Sequence, residues 1–123
     1  MNIENMPESV RTLPREKAFY FFTSIGNYTG VSAASLKEFV ERINEVNVKS
    51  LEFHLYRGDF EKWIAETLED KELAEDIRKL QKVSLTGDAL RNQLSMVVSK
   101  RVKRLASQPH PTQFQRPSAW NQS

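Results

Sequence analysis

Residues 50–63, "SLEFHLYRGDFEKW", decide how this chain folds. Leu51, Phe53 and Leu55 alternate with Glu52, His54 and Tyr56, the period of two that marks a half-buried strand. With Ser50 ahead of them as a cap, the same residues also make two turns of helix. Periodicity leaves both open. Downstream, Gly58 supplies a backbone free to turn, and Asp59 carries the oxygen expected to cap the next helix. That helix has Phe60, Trp63, Ile64, Thr67 and Leu68 on one face. Arg57-Gly58-Asp59 therefore reads as a turn and a helix start, not as an adhesion motif, which would need an exposed loop on a secreted protein.

Helix signals surround this stretch. Ser32 or Ser35 can cap the first helix, and Ser35 with Glu38 fits a capping box ahead of an inward face made by Leu36, Phe39, Val40, Ile43 and Val46. Asp70 stands before a helix with Leu73, Ala74, Ile77 and Leu80 inward. Thr86 stands before a longer one with Leu90, Leu94, Val97, Val98 and Leu105 inward. Upstream, "AFYFFTS" (18–24) has the aromatic composition of an extended segment, and Gly26-Asn27 and Gly30 mark a loop after it. With no convincing partner strand in the sequence, it is expected to lie as an extended plug against helices.

The expected fold is mainly α: a compact bundle of about five short helices with an N-terminal extended aromatic segment. Its expected limits are a helical domain over 17–106, a mobile leader over 1–16 and a disordered tail over 107–123. The leader lacks periodicity. The tail is rich in proline and glutamine, holds no acid, and cannot supply a regular apolar face. Phe114 and Trp120 are isolated aromatics within it.

Composition narrows the chemistry. The 123 residues contain no cysteine, which removes disulfides, thiolate zinc sites and cysteine nucleophiles. The only histidines are His54 and, in the tail, His110, so a multi-histidine metal site is not available. No glycine loop suited to phosphate and no calcium-loop pattern occurs, and no metal or cofactor is expected. No apolar run approaches the roughly 20 residues of a membrane-spanning helix, and the amino terminus lacks a secretory apolar block. A soluble cytoplasmic protein, away from membranes, is the expectation. Charge is uneven: residues 1–81 carry 11 basic and 15 acidic side chains, net −4, and residues 82–123 carry 7 and 1, net +6.

Taken together, the motifs resemble a small uncharacterised domain family of archaea and bacteria. They are the aromatic entry Phe19 to Phe21, Thr29-Gly30 before the first helix, Ser50 to His54, and Asp59-Phe60 with Trp63. Leu73 to Glu75 and Leu90-Arg91 complete the series, and the resemblance spans roughly residues 18 to 104. It implies a helix over 50–56. It implies no activity.

Three functions stay in contention. The first is a non-catalytic helical interaction or regulatory module whose partner is another protein. The second is nucleic-acid binding through Lys100, Lys103 and Arg104 on the outer face of the last helix, with Arg116 adding charge. The third is a small-ligand sensor or an enzyme built around His54, Arg57 and Asp59, where a carboxylate orients an imidazole. In the structural reading of the same cluster, Asp59 caps its helix and also holds a protonated His54.

Overall fold

A computed structural model describes residues 11–107. Elements follow in the order β1 (Phe19–Ser24), β2 (Asn27–Ala33), α1 (Leu36–Ile43), α2 (Val48–Arg57), α3 (Asp59–Glu66), α4 (Lys71–Gln81) and α5 (Gly87–Ser107). The fold is mainly α with five helices, as the sequence leads one to expect, although α5 is long at 21 residues. Residues 1–10 of the expected leader and the expected tail from 108 onward, with Phe114, Arg116 and Trp120, lie outside the described residues. Hydrogen bonding to the body begins ahead of residue 17, since the Leu13 N–H donates to the Ala34 carbonyl at 2.7 Å.

The aromatic segment has a partner after all. β1 pairs antiparallel with β2, from Phe19 opposite Ala33 to Ser24 opposite Asn27. Polar and glycine residues disguise β2 in the sequence, and two register shifts break its alternation. Thr29 and Gly30 are inserted between the Phe21–Val31 and Phe22–Tyr28 pairs, and Gly30 takes φ +86° there. The Thr29 hydroxyl mends the bulge by donating to the Phe21 carbonyl and accepting from the Val31 N–H.

Residues 50–56 are helical, within α2. Asn47, not Ser50, caps this helix by accepting from the Lys49 N–H, and Ser50 is buried inside it. The buried positions of α2 are Ser50, Leu51, His54 and Leu55, spaced as one helical face. A histidine and a serine occupy two places of that face while Phe53 stands half-buried beside it. The strand-like alternation is the result. Ser35 and Asp70 cap α1 and α4 as expected, accepting from Glu38 N–H and Leu73 N–H.

The hairpin lies across α1 and α2, α3 packs on α4 and α2, and α5 closes the core against α1, α2 and α4. Phe19, Phe21, Phe39, Phe60 and Trp63 meet at the centre. Phe39 sits 5.2 Å from both Phe60 and Trp63, and Phe19 sits 4.9 Å from Phe21. Such edge-on and tilted pairs each add about 0.5–1.5 kcal/mol to the burial of the rings. Trp63 has a second tie: its indole N–H donates to the Lys17 carbonyl at 2.8 Å, fastening the start of β1 to α3. Replacing Trp63 by alanine should therefore cost about 3–5 kcal/mol in a denaturant titration. A loss below about 0.5 kcal/mol, the size of an ordinary surface substitution, would show that this ring does not hold the core together.

Candidate functional site around His54

The turn after α2 brings His54, Arg57 and Asp59 together. Gly58 ends α2 and begins α3 at the same time, with φ +81°, a left-handed conformation that suits glycine. Its N–H bonds the His54 and Leu55 carbonyls, and its own carbonyl accepts from the Lys62 N–H. The side chain of Asp59 makes no cap bond, contrary to the sequence expectation. It is the first residue of α3, so its carboxylate still meets the positive end of that helix, but its oxygen points back toward α2. There Oδ2 lies 2.7 Å from His54 Nδ1 and 3.0 Å from Arg57 Nε. Glycine has taken over the junction, and the carboxylate is free for the side chains.

His54 is 4% exposed. Its ring stands among Phe19, Phe53 and Phe60, with centroids 4.8, 4.9 and 5.6 Å away. The Phe22 backbone N–H donates to Nε2 at 2.8 Å. A backbone N–H can only donate, so Nε2 must present its lone pair and the ring proton sits on Nδ1, facing Asp59. Phe22, His54 and Asp59 thus form one hydrogen-bonded chain from the hairpin through α2 to α3.

This geometry favours the neutral imidazole, a correction to the protonated state expected from the Asp59 contact. Burial lowers the affinity of His54 for a second proton below its ordinary value of 6.5, and the nearby Arg57 charge adds to that. The bond to Asp59 and its charge pull the other way without prevailing. A second proton would also set two N–H groups against each other at Nε2.

The pair borders a groove of about 480 Å³ between the hairpin and the α2–α3 elbow. Phe19, Phe22, Phe53 and Trp63 supply aromatic walls, Arg57, Lys62 and Glu66 stand at the rim, and Ile25 belongs to the hairpin tip. Arg57 is held in place twice: by Asp59 and by the Phe53 ring, whose centroid lies 4.8 Å from the guanidinium carbon. None of Phe22, Lys62 or Glu66 was among the residues expected to form a site. Phe22 contributes through its backbone, which side-chain identity does not advertise. Lys62 and Glu66 are one turn apart on α3, a spacing the sequence shows but gives no reason to select.

Lys100, Lys103 and Arg104 are all exposed on α5. They do not form an unopposed basic stripe. Arg104 donates to Glu72 at 2.8 Å and holds that carboxyl below its ordinary range. The adjacent Arg101 binds Asp70 at 2.7 Å, so the acid that caps α4 also anchors α5. Among the described residues, no group of three or more acidic or histidine side chains is arranged to hold a metal ion, and no helix is long and apolar enough to cross a membrane.

Fold and site define a class: a five-helix domain with a docked β-hairpin, clasped by a buried histidine. Within that class, residues 14–118 match the model of a family of unknown function, DUF5752, and the chain belongs to this family. No curated protein and no solved structure matches it.

The His54 chain makes stability depend on pH. With its folded-state proton affinity depressed, the unfolded chain binds more protons at mildly acidic pH. The stabilisation is fully present above about pH 6.5 and declines as pH falls toward the lowered folded-state value. His54→Gln, which keeps an acceptor for the Phe22 N–H, should retain most of the stability and flatten that decline. His54→Phe should cost about 1–3 kcal/mol by orphaning the donor. Urea titrations of all three proteins at several pH values check this, and an unchanged acid slope in the glutamine variant would refute the assignment.

Proposed function

We propose that this chain is a non-catalytic interaction module whose partner is another protein, engaged through the outer face of the hairpin. The observation that supports the reading best is the partly exposed apolar strip on that face, in which Tyr28 and Ile25 are exposed and Tyr20 and Phe22 half-buried. Tyr28 is 46% exposed and its ring lies 5.9 Å from Tyr20 and 5.3 Å from Phe22, while Ile25 at the tip is 82% exposed. Aromatic side chains with a rigid backbone behind them offer large contact area at small entropic cost, the composition of binding hot spots. The commitment of both His54 nitrogens favours the same reading, because a general base needs a lone pair free for the substrate proton.

In this reading the cluster of His54, Arg57 and Asp59 is a clasp that fixes the hairpin in its presenting position. Nucleic-acid binding through α5 has less support, since Arg104 faces an acid. The rest of the body is acidic. Binding to duplex or single strands should be no tighter than about micromolar at physiological salt, the tight end of non-specific affinities. Filter binding across a salt series checks this, and sequence-selective nanomolar affinity would reverse the ranking.

Affinity capture from native extract tests the main reading, with and without nuclease, against the double variant Ile25→Ser, Tyr28→Ser. Wild type should retain a protein after nuclease treatment, and the variant should lose it while keeping a native circular dichroism spectrum. Retention by both proteins would remove the hairpin face from consideration. Recovery dependent on nucleic acid would move the function to α5.

A further inference from the structure

The groove behind the hairpin has a chemistry of its own. We infer that it is a binding site for a small apolar carboxylic acid, with the apolar body against Phe19, Phe22 and Trp63 and the carboxylate at Arg57 and Lys62. It shares Tyr20, Phe22 and Ile25 with the face proposed for a protein partner, but it requires no such partner. Its volume of about 480 Å³ falls within the range of small-molecule sites, and its walls are mainly apolar, with five aromatic side chains among them.

The orientation of Arg57 carries the inference. Its Nε is spent on Asp59 and its guanidinium carbon lies 4.8 Å from the Phe53 centroid, while neither terminal nitrogen has a hydrogen-bond partner among the described residues. An arginine fixed in this way has already lost the rotamer freedom that binding would otherwise remove. Two parallel N–H donors on a planar fork match a carboxylate.

Lys62 adds a second cation at the same rim and makes no ion pair among the described residues. Asp59 and Arg57 offset each other's charge, so Lys62 supplies the net positive charge at this rim while Arg57 supplies oriented donors. Glu66 is the acid at the other end of the groove, one helical turn beyond Lys62. It disfavours the reversed pose, in which the carboxylate would approach the end of α3. The ligand class is thus a compact aromatic or branched acid, oriented with its head toward the α2–α3 elbow.

The test uses the full chain carrying Trp120→Phe, so that fluorescence reports Trp63 in the groove wall alone. Phenylacetate, phenylacetamide, phenethylammonium and acetate are titrated in turn, with backbone amide shifts followed by NMR. Phenylacetate should bind at least about tenfold more tightly than the neutral amide, the effect of a charge-assisted pair at about 1.4 kcal/mol. Acetate, lacking the apolar body, should be weaker still. Lys62→Gln, an exposed substitution, should reduce the preference for the acid over the amide. Arg57→Gln should do the same, with its fold checked by denaturation because it also loses a bond to Asp59. Equal binding of acid and amide, or preference for phenethylammonium, would overturn the assignment, the latter by making Glu66 the determinant. Absence of saturable shifts with every probe would overturn it too.

Discussion

One hydrogen bond between a strand and a helix organises this molecule: the Phe22 N–H given to Nε2 of a buried histidine. A two-stranded hairpin by itself is marginal in water, and its outer edge leaves backbone donors without partners. Here the edge facing α2 is met by a side chain, and the remaining ring nitrogen is met in turn by Asp59 at the start of α3. The histidine works as a connector because it offers one acceptor and one donor across a rigid ring. Neither a lysine nor a carboxylate could serve both neighbours. The rings of Phe19, Phe53 and Phe60 around it keep water out and set its charge state.

A second tie at the opposite end of β1, from the Trp63 indole to the Lys17 carbonyl, completes the bracket. The strand is held at both ends by the paired helices α2 and α3, and the groove is the space between these two fastenings. That explains why an opening lined with aromatic rings persists in a domain of this size. Closing it would require giving up one of two partly buried hydrogen bonds, each worth about 0.5–1.5 kcal/mol net and more if a partner were stranded. The acidic cap of α4 is likewise shared: Asp70 accepts from Leu73 N–H and from Arg101, so helix initiation and the packing of α5 draw on one carboxylate.

Much of the helical framework was legible in the sequence, because apolar spacing and oxygen-bearing caps report local backbone directly. The centres of the α1, α3, α4 and α5 faces are buried where that spacing puts them, with Val40, Thr67, Leu68, Val97 and Leu105 half-buried at their margins. Legibility failed where a residue answers to a distant partner. Asn27 to Ala33 form a strand whose alternation is spoiled by a bulge that only pairing with β1 reveals. In α2, His54 replaces an apolar residue on the inward face, so the helix imitates a strand. Asp59 has the identity and the position of a cap, yet tertiary contacts with His54 and Arg57 claim its oxygen. The three site residues were found by proximity in sequence. The aromatic walls and the Phe22 amide belong to the fold and could not be.

Gly58 makes the α2–α3 connection a single residue long, and chain length there becomes part of the clasp. One additional residue would turn α3 by about 100° relative to α2 and lengthen the path between His54 and Asp59. Asp59 would then face another direction, and Trp63, on the same helix, would leave the Lys17 carbonyl. Variation in loop length is usually tolerated at solvent-exposed connections, whereas this one behaves as a gear tooth that sets the phase between two helices. Insertions compatible with the fold should accordingly be confined to other joints, such as the segment between α4 and α5, where Val83 and Ser84 are exposed and the chain is not shared between two helix ends.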